Sequence, residues 1–143
     1  MELFSERLTE LMEELEFTPK KLSEITGLSI NSIYSWKKDS AYKIYLSNMI
    51  KLCDVLECSL DFLAGRTENV LDYKPQKCPP FYDRLREIMK KENITRYRLV
   101  KDTKIYDNYF SVWKSGRDPQ LYTLIRLADY LDCSIDYLIG RDR

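Results

Sequence analysis

The sequence contains no histidine, so it lacks the side chain that most often serves as a general base or a metal ligand. Its four cysteines form no paired C-x-x-C motif, and a zinc site is therefore not expected. Only four glycines occur, and none belongs to a glycine-rich phosphate-binding loop. No paired carboxylates fall in a predicted cleft either. These gaps argue against an enzyme and predict no cofactor and no small-molecule substrate.

Long apolar segments are also missing. No stretch reaches the roughly 18 apolar residues that a membrane-spanning helix needs. The segment MELFSERLTE at the start is acidic, unlike the basic start of a signal peptide. We therefore predict a cytoplasmic protein without membrane association, in which Cys58 and Cys133 are small core thiols.

What the sequence does contain is a repeat of about 60 residues. A forward shift of 77 aligns eleven residues of 4–37 with identical residues, from Phe4 on Phe81 to Lys37 on Lys114. A shift of 75 does the same for eleven residues of 46–66. Two copies at this spacing indicate two small domains, which we place at 1–67 and 81–143. Residues 68–80 contain Lys74-Pro75 and Pro79-Pro80 and are predicted to form a linker.

Apolar residues recur at helical spacing in both copies, and no alternating strand pattern is present. Residues that begin or end helices divide each copy into five helices, so we predict an all-α protein. In the first copy Thr18-Pro19 begins the second helix and Gly27 ends it. The inward residues are predicted to include Leu15, Leu22, Ile25, Trp36 and, in the second copy, Trp113.

A helix at 19–26, a tight turn at Gly27-Leu28-Ser29 and a helix at 30–38 together make a helix-turn-helix. The segments TPKKLSEITGLSINSIYSWKK and MIKLCDVLECSLDFLAGR resemble the five-helix domain of the phage repressor/Cro (XRE-type) family. In the second copy, VWKSGRDPQLYTLIRLADYLDCSIDYLIGR resembles the back half of that domain. The resemblance implies two tandem five-helix DNA-binding domains. It also implies a sequence-specific transcriptional regulator of double-stranded DNA, which we interpret as a repressor.

The resemblance also assigns DNA contacts by position. In the first copy the groove-reading positions hold Ser29, Ile30, Asn31, Ser32, Tyr34 and Ser35, while Lys20, Lys37, Lys38 and Lys43 suit phosphates. In the second copy they hold Tyr106, Asp107, Asn108, Tyr109, Ser111 and Val112, with Arg96, Lys114 and Arg117 near phosphates. Asn31 is the leading residue for base readout, because a carboxamide can pair with adenine through two hydrogen bonds. Arg7 and Arg84 are expected to be structural ion-pair partners rather than DNA contacts.

The second copy departs from the family pattern around its turn. Lys104 replaces the turn glycine, Asp102 stands at the position of Ile25, and Asp107 would direct a carboxylate toward the groove. Charge differs between the copies as well. Residues 1–68 hold eight Lys/Arg against twelve Asp/Glu, whereas residues 81–143 hold thirteen against ten. The two copies are therefore expected to contribute differently to DNA binding.

Two hypotheses follow. In the first, both copies read DNA as a covalent pseudo-dimer on two unlike half-sites, with a linker able to span about 40 Å. In the second, one copy reads DNA and the other is a protein-interaction or dimerisation module, as in an antitoxin-like or mobile-element regulator. Its surface would be formed by Tyr106, Tyr109 and Tyr122. The partners are then DNA together with a second copy of the chain or another protein.

Overall fold

The computed structural model describes residues 2–38, 41, 43–69 and 76–141. The chain divides into two compact units, Met1–Gln76 and Lys77–Arg143. The described residues form ten helices, five in each unit, and no β-strand. The predicted all-α fold with two tandem five-helix domains is confirmed. Each helix among these residues is too short or too polar to cross a bilayer.

The predicted linker 68–80 falls only partly within the described residues. Residues 70–75, including Lys74-Pro75, lie outside them. Residues 77–80 belong to the second unit, and Pro79 lies against Gly140 there. A Cβ atom on Gly140 would come 2.8 Å from the Pro79 Cδ atom. The segment just before the second unit's first helix is thus packed onto the end of that unit's last helix.

The first unit begins with a long helix and ends with a single turn of helix. Its first and fourth helices are the longest, and two short helices stand between them in the chain. The bounds are α1 Glu2–Glu14, α2 Pro19–Thr26, α3 Ile30–Lys38, α4 Leu46–Leu56 and α5 Leu60–Leu63. α1 packs against α3 and α5, and α2 packs against α3 and α4.

The second unit repeats this order. The bounds are α6 Phe81–Lys91, α7 Arg96–Thr103, α8 Tyr109–Lys114, α9 Leu121–Leu131 and α10 Ile135–Leu138. α6 packs against α8 and α10, and α9 packs against α7 and α10. The main difference lies in the third helix, which has nine residues in the first unit and six in the second.

N-cap side chains stabilise the starts of four short helices, and Thr18 is the one predicted above. The Thr18 hydroxyl accepts a hydrogen bond from the Lys21 N–H at 3.1 Å, and Pro19 occupies the first helical turn. Thr95 does the same for Arg98 at 3.1 Å in the second unit. Ser59 and Ser134 cap the last helices in the same way. Each cap satisfies a backbone donor that the helix itself leaves unpaired.

Each unit has its own apolar core. In the first, the buried residues include leucines of α1, α2, α4 and α5 and Ile33 of α3, and in the second they include leucines of α6, α7, α9 and α10 and Phe110 of α8. Trp36 and Trp113 are both buried, as predicted. Cys58 is also buried, whereas its equivalent Cys133 is only half-buried.

The prediction that apolar residues face inward is wrong for two of them. Ile25 is 52% exposed and Leu15 is 44% exposed. An eight-residue helix such as α2 presents one narrow stripe to the core, and here the stripe runs through Leu22 and Thr26, four residues apart. Because the Ile25 position faces solvent, Asp102 at the equivalent place in α7 is exposed as well and costs the core nothing.

Arg7 and Arg84 join the first helix of each unit to the last. The Arg7 guanidinium lies 4.2 Å above the Phe62 ring and donates to the Phe62 carbonyl and, at 2.6 Å, to the Thr67 carbonyl. Arg84 lies 4.6 Å above the Tyr137 ring and donates to the Tyr137 carbonyl at 2.8 Å. The expected structural role is therefore present, although the shared partners are carbonyls and aromatic rings.

An ion pair at equivalent positions of the repeat joins the last helix of each unit to the residues that follow it. Arg66 Nε lies 3.2 Å from Asp61 Oδ1, and Arg141 Nε lies 3.9 Å from Asp136 Oδ1. Asp136 and Arg141 are both buried. Charges removed from water in this way need their opposite partner, so these residues fix how the chain leaves α5 and α10.

Candidate nucleic-acid interface

The first unit places two short helices at either side of a tight turn. Gly27 has φ 76°, the left-handed conformation, and its N–H donates to the Ser23 carbonyl at 2.8 Å. On the other side of the turn the Ser23 hydroxyl donates to the Leu28 carbonyl at 2.5 Å. Leu22, Leu28 and Ile33 are buried beneath the pair. The turn angle is thus fixed by backbone geometry, and the outer side of α3 is left uncovered.

The residues predicted to read the groove in the first unit lie on this uncovered side. Ser29, Ile30, Asn31, Tyr34 and Ser35 are exposed, and Ser32 is half-buried. Positions 31, 34 and 35 are neighbours on one helix face, because residues three and four apart align along a helix. None of these six side chains carries a charge. Their contacts with DNA stay predictions.

The predicted phosphate-contacting lysines divide into two groups. Lys20, at the start of α2, and Lys43, after α3, are exposed. Lys37 and Lys38 instead border a groove between α3 and α1, whose other side is lined by Glu6, Glu10 and Glu13. The Ser5 hydroxyl donates to the Trp36 carbonyl at 2.8 Å and holds α1 against this end of α3. The positive charge at the end of α3 is therefore opposed by carboxylates nearby.

The second unit keeps the turn without its glycine. Lys104 has φ 61°, and its N–H donates to the Val100 carbonyl at 2.9 Å, as Gly27 donates to Ser23. A non-glycine residue pays on the order of 1 kcal/mol in this conformation. The substitution singled out in the sequence therefore strains the turn without changing its geometry.

The third helix of the second unit starts later than its counterpart in the first unit. α8 begins at Tyr109, and Asn108 occupies the N-cap position with a helical φ of −66°. Two tight i to i+3 bonds lead into it, from the Tyr109 N–H to the Tyr106 carbonyl and from the Phe110 N–H to the Asp107 carbonyl. Asn108 is exposed, but it stands before α8, whereas its equivalent Asn31 lies inside α3.

Aromatic side chains dominate the outer side of the second unit's motif. Tyr106 is 71% exposed, and its ring meets the Tyr109 ring at 5.6 Å. Tyr109 in turn lies 5.7 Å from the buried Trp113 ring. Tyr97, on α7, is 74% exposed and was not predicted as part of the site. In the repeat Tyr97 is equivalent to Lys20, a predicted phosphate contact, and this equivalence was the sequence signal that could have found it.

The remaining predicted residues of the second unit lie at the surface around α8. Ser111, Lys114 and Arg117 are exposed, and Val112 is half-buried. Arg96 is held by neighbours within the unit. Its Nε lies 2.9 Å from Asp107 Oδ1, and its guanidinium lies 4.8 Å above the Phe110 ring. Asp107 thus points its carboxylate at Arg96.

Arg96 also lines a cavity on the surface of the second unit, between α6 and the start of α7. Arg86 and Lys90 bring two further cations to its wall, and Asp83 and Glu87 bring two carboxylates. The predicted site did not include Arg86 or Lys90. They lie on α6, which the helix-turn-helix pattern does not cover.

On the outer face of the same motif, Asp102 organises two neighbours. It accepts a hydrogen bond from the Tyr130 hydroxyl at 2.7 Å and lies 3.2 Å from Arg98 Nε. The hydrogen bond to this carboxylate raises the pKa of Tyr130 above its ordinary value. The residue that replaces Ile25 therefore ties α7 to α9.

A pair of short helices on a buried apolar platform, with an exposed polar face on the second helix, defines the class of helix-turn-helix DNA-binding proteins. The model of the Cro/C1-type HTH DNA-binding domain matches the chain twice, at residues 7–66 and 84–142. The chain belongs to this family and carries its domain in tandem, as the sequence predicted. It is thus a DNA-binding regulator whose partner is double-stranded DNA. Neither a curated protein nor a solved structure matches the chain significantly.

Proposed function

We propose that the chain is a repressor that reads two unlike half-sites of one operator, one with each helix-turn-helix unit. The observation that carries the proposal is the contrast between a shared platform and different outer faces. Both units bury equivalent leucines and a tryptophan beneath the motif. The outer residues of α3 are uncharged, whereas those before and on α8 include Asp107 and two tyrosines. Because the two units share a core but expose different side chains, we expect them to bind different DNA sequences.

Asn31 and Asn108 are the residues expected to discriminate bases. Both are exposed at equivalent positions of the repeat. A carboxamide that pairs with an adenine in the major groove contributes roughly 1–3 kcal/mol of discrimination. Two such readers on one chain also raise each other's effective concentration, which increases avidity without any new contact. A bound chain would then repress by covering a promoter.

The test is a selection of binding sites from random duplexes with the full chain. We expect an asymmetric site with two half-sites. Asn31→Ala should abolish the base preference at one of them, and Asn108→Ala should abolish it at the other. Asn69→Ala is the matched control, because Asn69 is exposed and lies outside both motifs. A perfectly palindromic site would overturn the proposal and indicate a homodimer that reads with one unit only.

A second function is favoured by the exposed tyrosines of the second unit. Tyr97 and Tyr106 offer large amphipathic rings to solvent, and tyrosine is enriched in protein interfaces. In this alternative the first unit reads DNA and the second binds a second copy of the chain or another protein, as an antitoxin-like or mobile-element regulator would.

The salt dependence of duplex binding separates the two functions. Each lysine or arginine that neutralises a phosphate contributes about −0.9 to the slope of log K against log salt. If both units read DNA, Lys20→Gln and Arg117→Gln should each make the slope shallower. If only Lys20→Gln changes the slope and Tyr106→Ser lowers the oligomeric state, the second unit is the interaction module.

A further inference from the structure

Three contacts hold the Arg96 side chain in one place. Its Nε atom donates to the Asp107 carboxylate at 2.9 Å, and its Nη2 atom donates to the Asp107 backbone carbonyl at 2.9 Å. The guanidinium carbon lies 4.8 Å above the ring of Phe110, which is buried. Arg96 opens α7, Asp107 leads into α8, and the pair therefore bridges the two helices of the motif.

This pair exists only in the second copy of the repeat. The equivalent positions in the first unit hold Pro19 and Ile30, which carry no charge. Arg96 is the first cation of the second unit's helix-turn-helix, and Lys20 is the first cation of the first unit's motif. Both partners remain open to water, with side-chain exposures of 45% for Arg96 and 69% for Asp107.

We infer that the Asp107 carboxylate occupies Arg96 in place of a DNA phosphate and so withholds this cation from the duplex backbone. The inference rests on the proposed function of the second unit as a DNA reader. A carboxylate and a phosphate present similar oxygen pairs to a guanidinium, so the two anions compete for one site. An exposed ion pair is weak by itself, but here the second bond to the Asp107 carbonyl and the Phe110 ring also keep the guanidinium directed toward its own unit.

The consequence is a limit on sequence-independent affinity. Phosphate contacts supply nearly all non-specific binding and carry no sequence information. Because Arg96 is already paired, the second unit gains little affinity for a random-sequence duplex. Its affinity then depends more on the base contacts of Asn108 and the adjacent tyrosines. Asp107 is in this sense a specificity-determining residue that does not itself need to touch a base.

The experiment measures binding of the full chain to a random-sequence duplex over a series of salt concentrations. Asp107→Asn should strengthen binding roughly tenfold at about 50 mM salt and steepen the salt slope by about 0.9, because one more phosphate is neutralised. Asp107→Ser, which also removes the charge, should give the same gain. Asp132→Asn is the matched control, since Asp132 is exposed between α9 and α10 and its left-handed conformation suits asparagine.

The Arg96→Gln background distinguishes this competition from simple repulsion. If Asp107 acts through Arg96, Asp107→Asn should gain little affinity in a chain that carries Arg96→Gln. An equal gain in both backgrounds would overturn the inference and leave general repulsion of the duplex as the explanation. Binding of the unaltered chain with no effect of either Asp107 variant would also overturn it, while leaving the proposed function intact. Failure of every variant to bind any duplex would remove both.

Discussion

At the scale of the residue, the turn between the two motif helices depends on a single positive φ. Gly27 adopts 76° and Lys104 adopts 61°, and each donates its N–H four residues back. A threonine supports both turns from the helix side. Thr26 accepts from the Leu28 N–H at 3.2 Å, and Thr103 accepts from the Ile105 N–H at 3.4 Å. Because these bonds define the turn from both ends, lysine is forced into a conformation that it would otherwise avoid.

Tyr130 gives the second unit a response to alkaline pH. Its hydroxyl donates to the Asp102 carboxylate, which raises its pKa above the ordinary value of 10.0. A group with a raised pKa in the folded state stabilises the fold below its unfolded pKa. That contribution is lost as the pH rises through the folded value. We expect a titration followed by tyrosine ring carbon NMR signals to show Tyr130 ionising at a pH above the ordinary value of 10.0.

Asp102→Asn should bring the pKa of Tyr130 down toward its ordinary value of 10.0, because the carboxylate that opposes ionisation is gone. Asp132→Asn removes one charge elsewhere in the same unit and should leave the titration unchanged. An unaltered Tyr130 pKa in the Asp102→Asn variant would show that this hydrogen bond does not govern the ionisation.

At the scale of the element, the short helices of the motif depend on their N-caps. α2 and α7 have eight residues each, which is too short for stability without caps and packing. Thr18→Ala and Thr95→Ala should each lower the free energy of unfolding of their unit by about 1 kcal/mol. Urea unfolding can be followed by Trp36 fluorescence in a Trp113→Phe chain for the first unit, and conversely for the second.

The control for these variants is Thr9→Ala. Thr9 lies in the interior of α1, where alanine has the higher helix propensity, so the change should stay within about 0.5 kcal/mol or stabilise the unit. If the cap variants behaved like Thr9→Ala, the hydroxyl bonds to Lys21 and Arg98 would contribute nothing to stability.

Sequence patterns predicted the elements better than the contacts between them. Caps are local, because Thr18 meets a donor three residues away, and they could be read from the sequence. The phase of a short helix is set by its partners, which is why Ile25 was wrongly placed in the core. The late start of α8 and the pairing of Arg96 with Asp107 arise across a turn, from residues eleven apart. The periodicity of apolar residues in a sequence does not indicate such a contact.

At the scale of the whole molecule, a net charge of zero conceals two different surfaces. Acidic residues exceed basic ones by four in residues 1–68, and basic residues exceed acidic ones by three in residues 81–143. In the first unit several of the acids lie on α1, in the groove that Lys37 and Lys38 border. Their field reduces the attraction of that groove for a polyanion.

Neutralising these acids should strengthen DNA binding. We expect the double variant Glu6→Gln, Glu10→Gln to bind a duplex several-fold more tightly at low salt. The gain should vanish at about 1 M salt, where the screening length is about 3 Å. Titrations by fluorescence anisotropy at both salt concentrations provide the measurement.

The matched control is the double variant Glu57→Gln, Glu68→Gln, which removes the same charge from exposed positions outside the groove. A smaller gain is expected there. Equal gains from both double variants would show that total charge, rather than the groove, determines the effect.

The arginines on α1 and α6 have a consequence for how each unit can be joined to other chains. Arg7 donates to a carbonyl just after α5, and Arg84 donates to a carbonyl in α10. The beginning and the end of each unit therefore lie close together. A module with adjacent ends can be inserted into a loop of another protein with little disturbance of its host, because both connections leave from the same place. The same property makes each unit a natural candidate for circular permutation, with a new opening cut into an exposed loop.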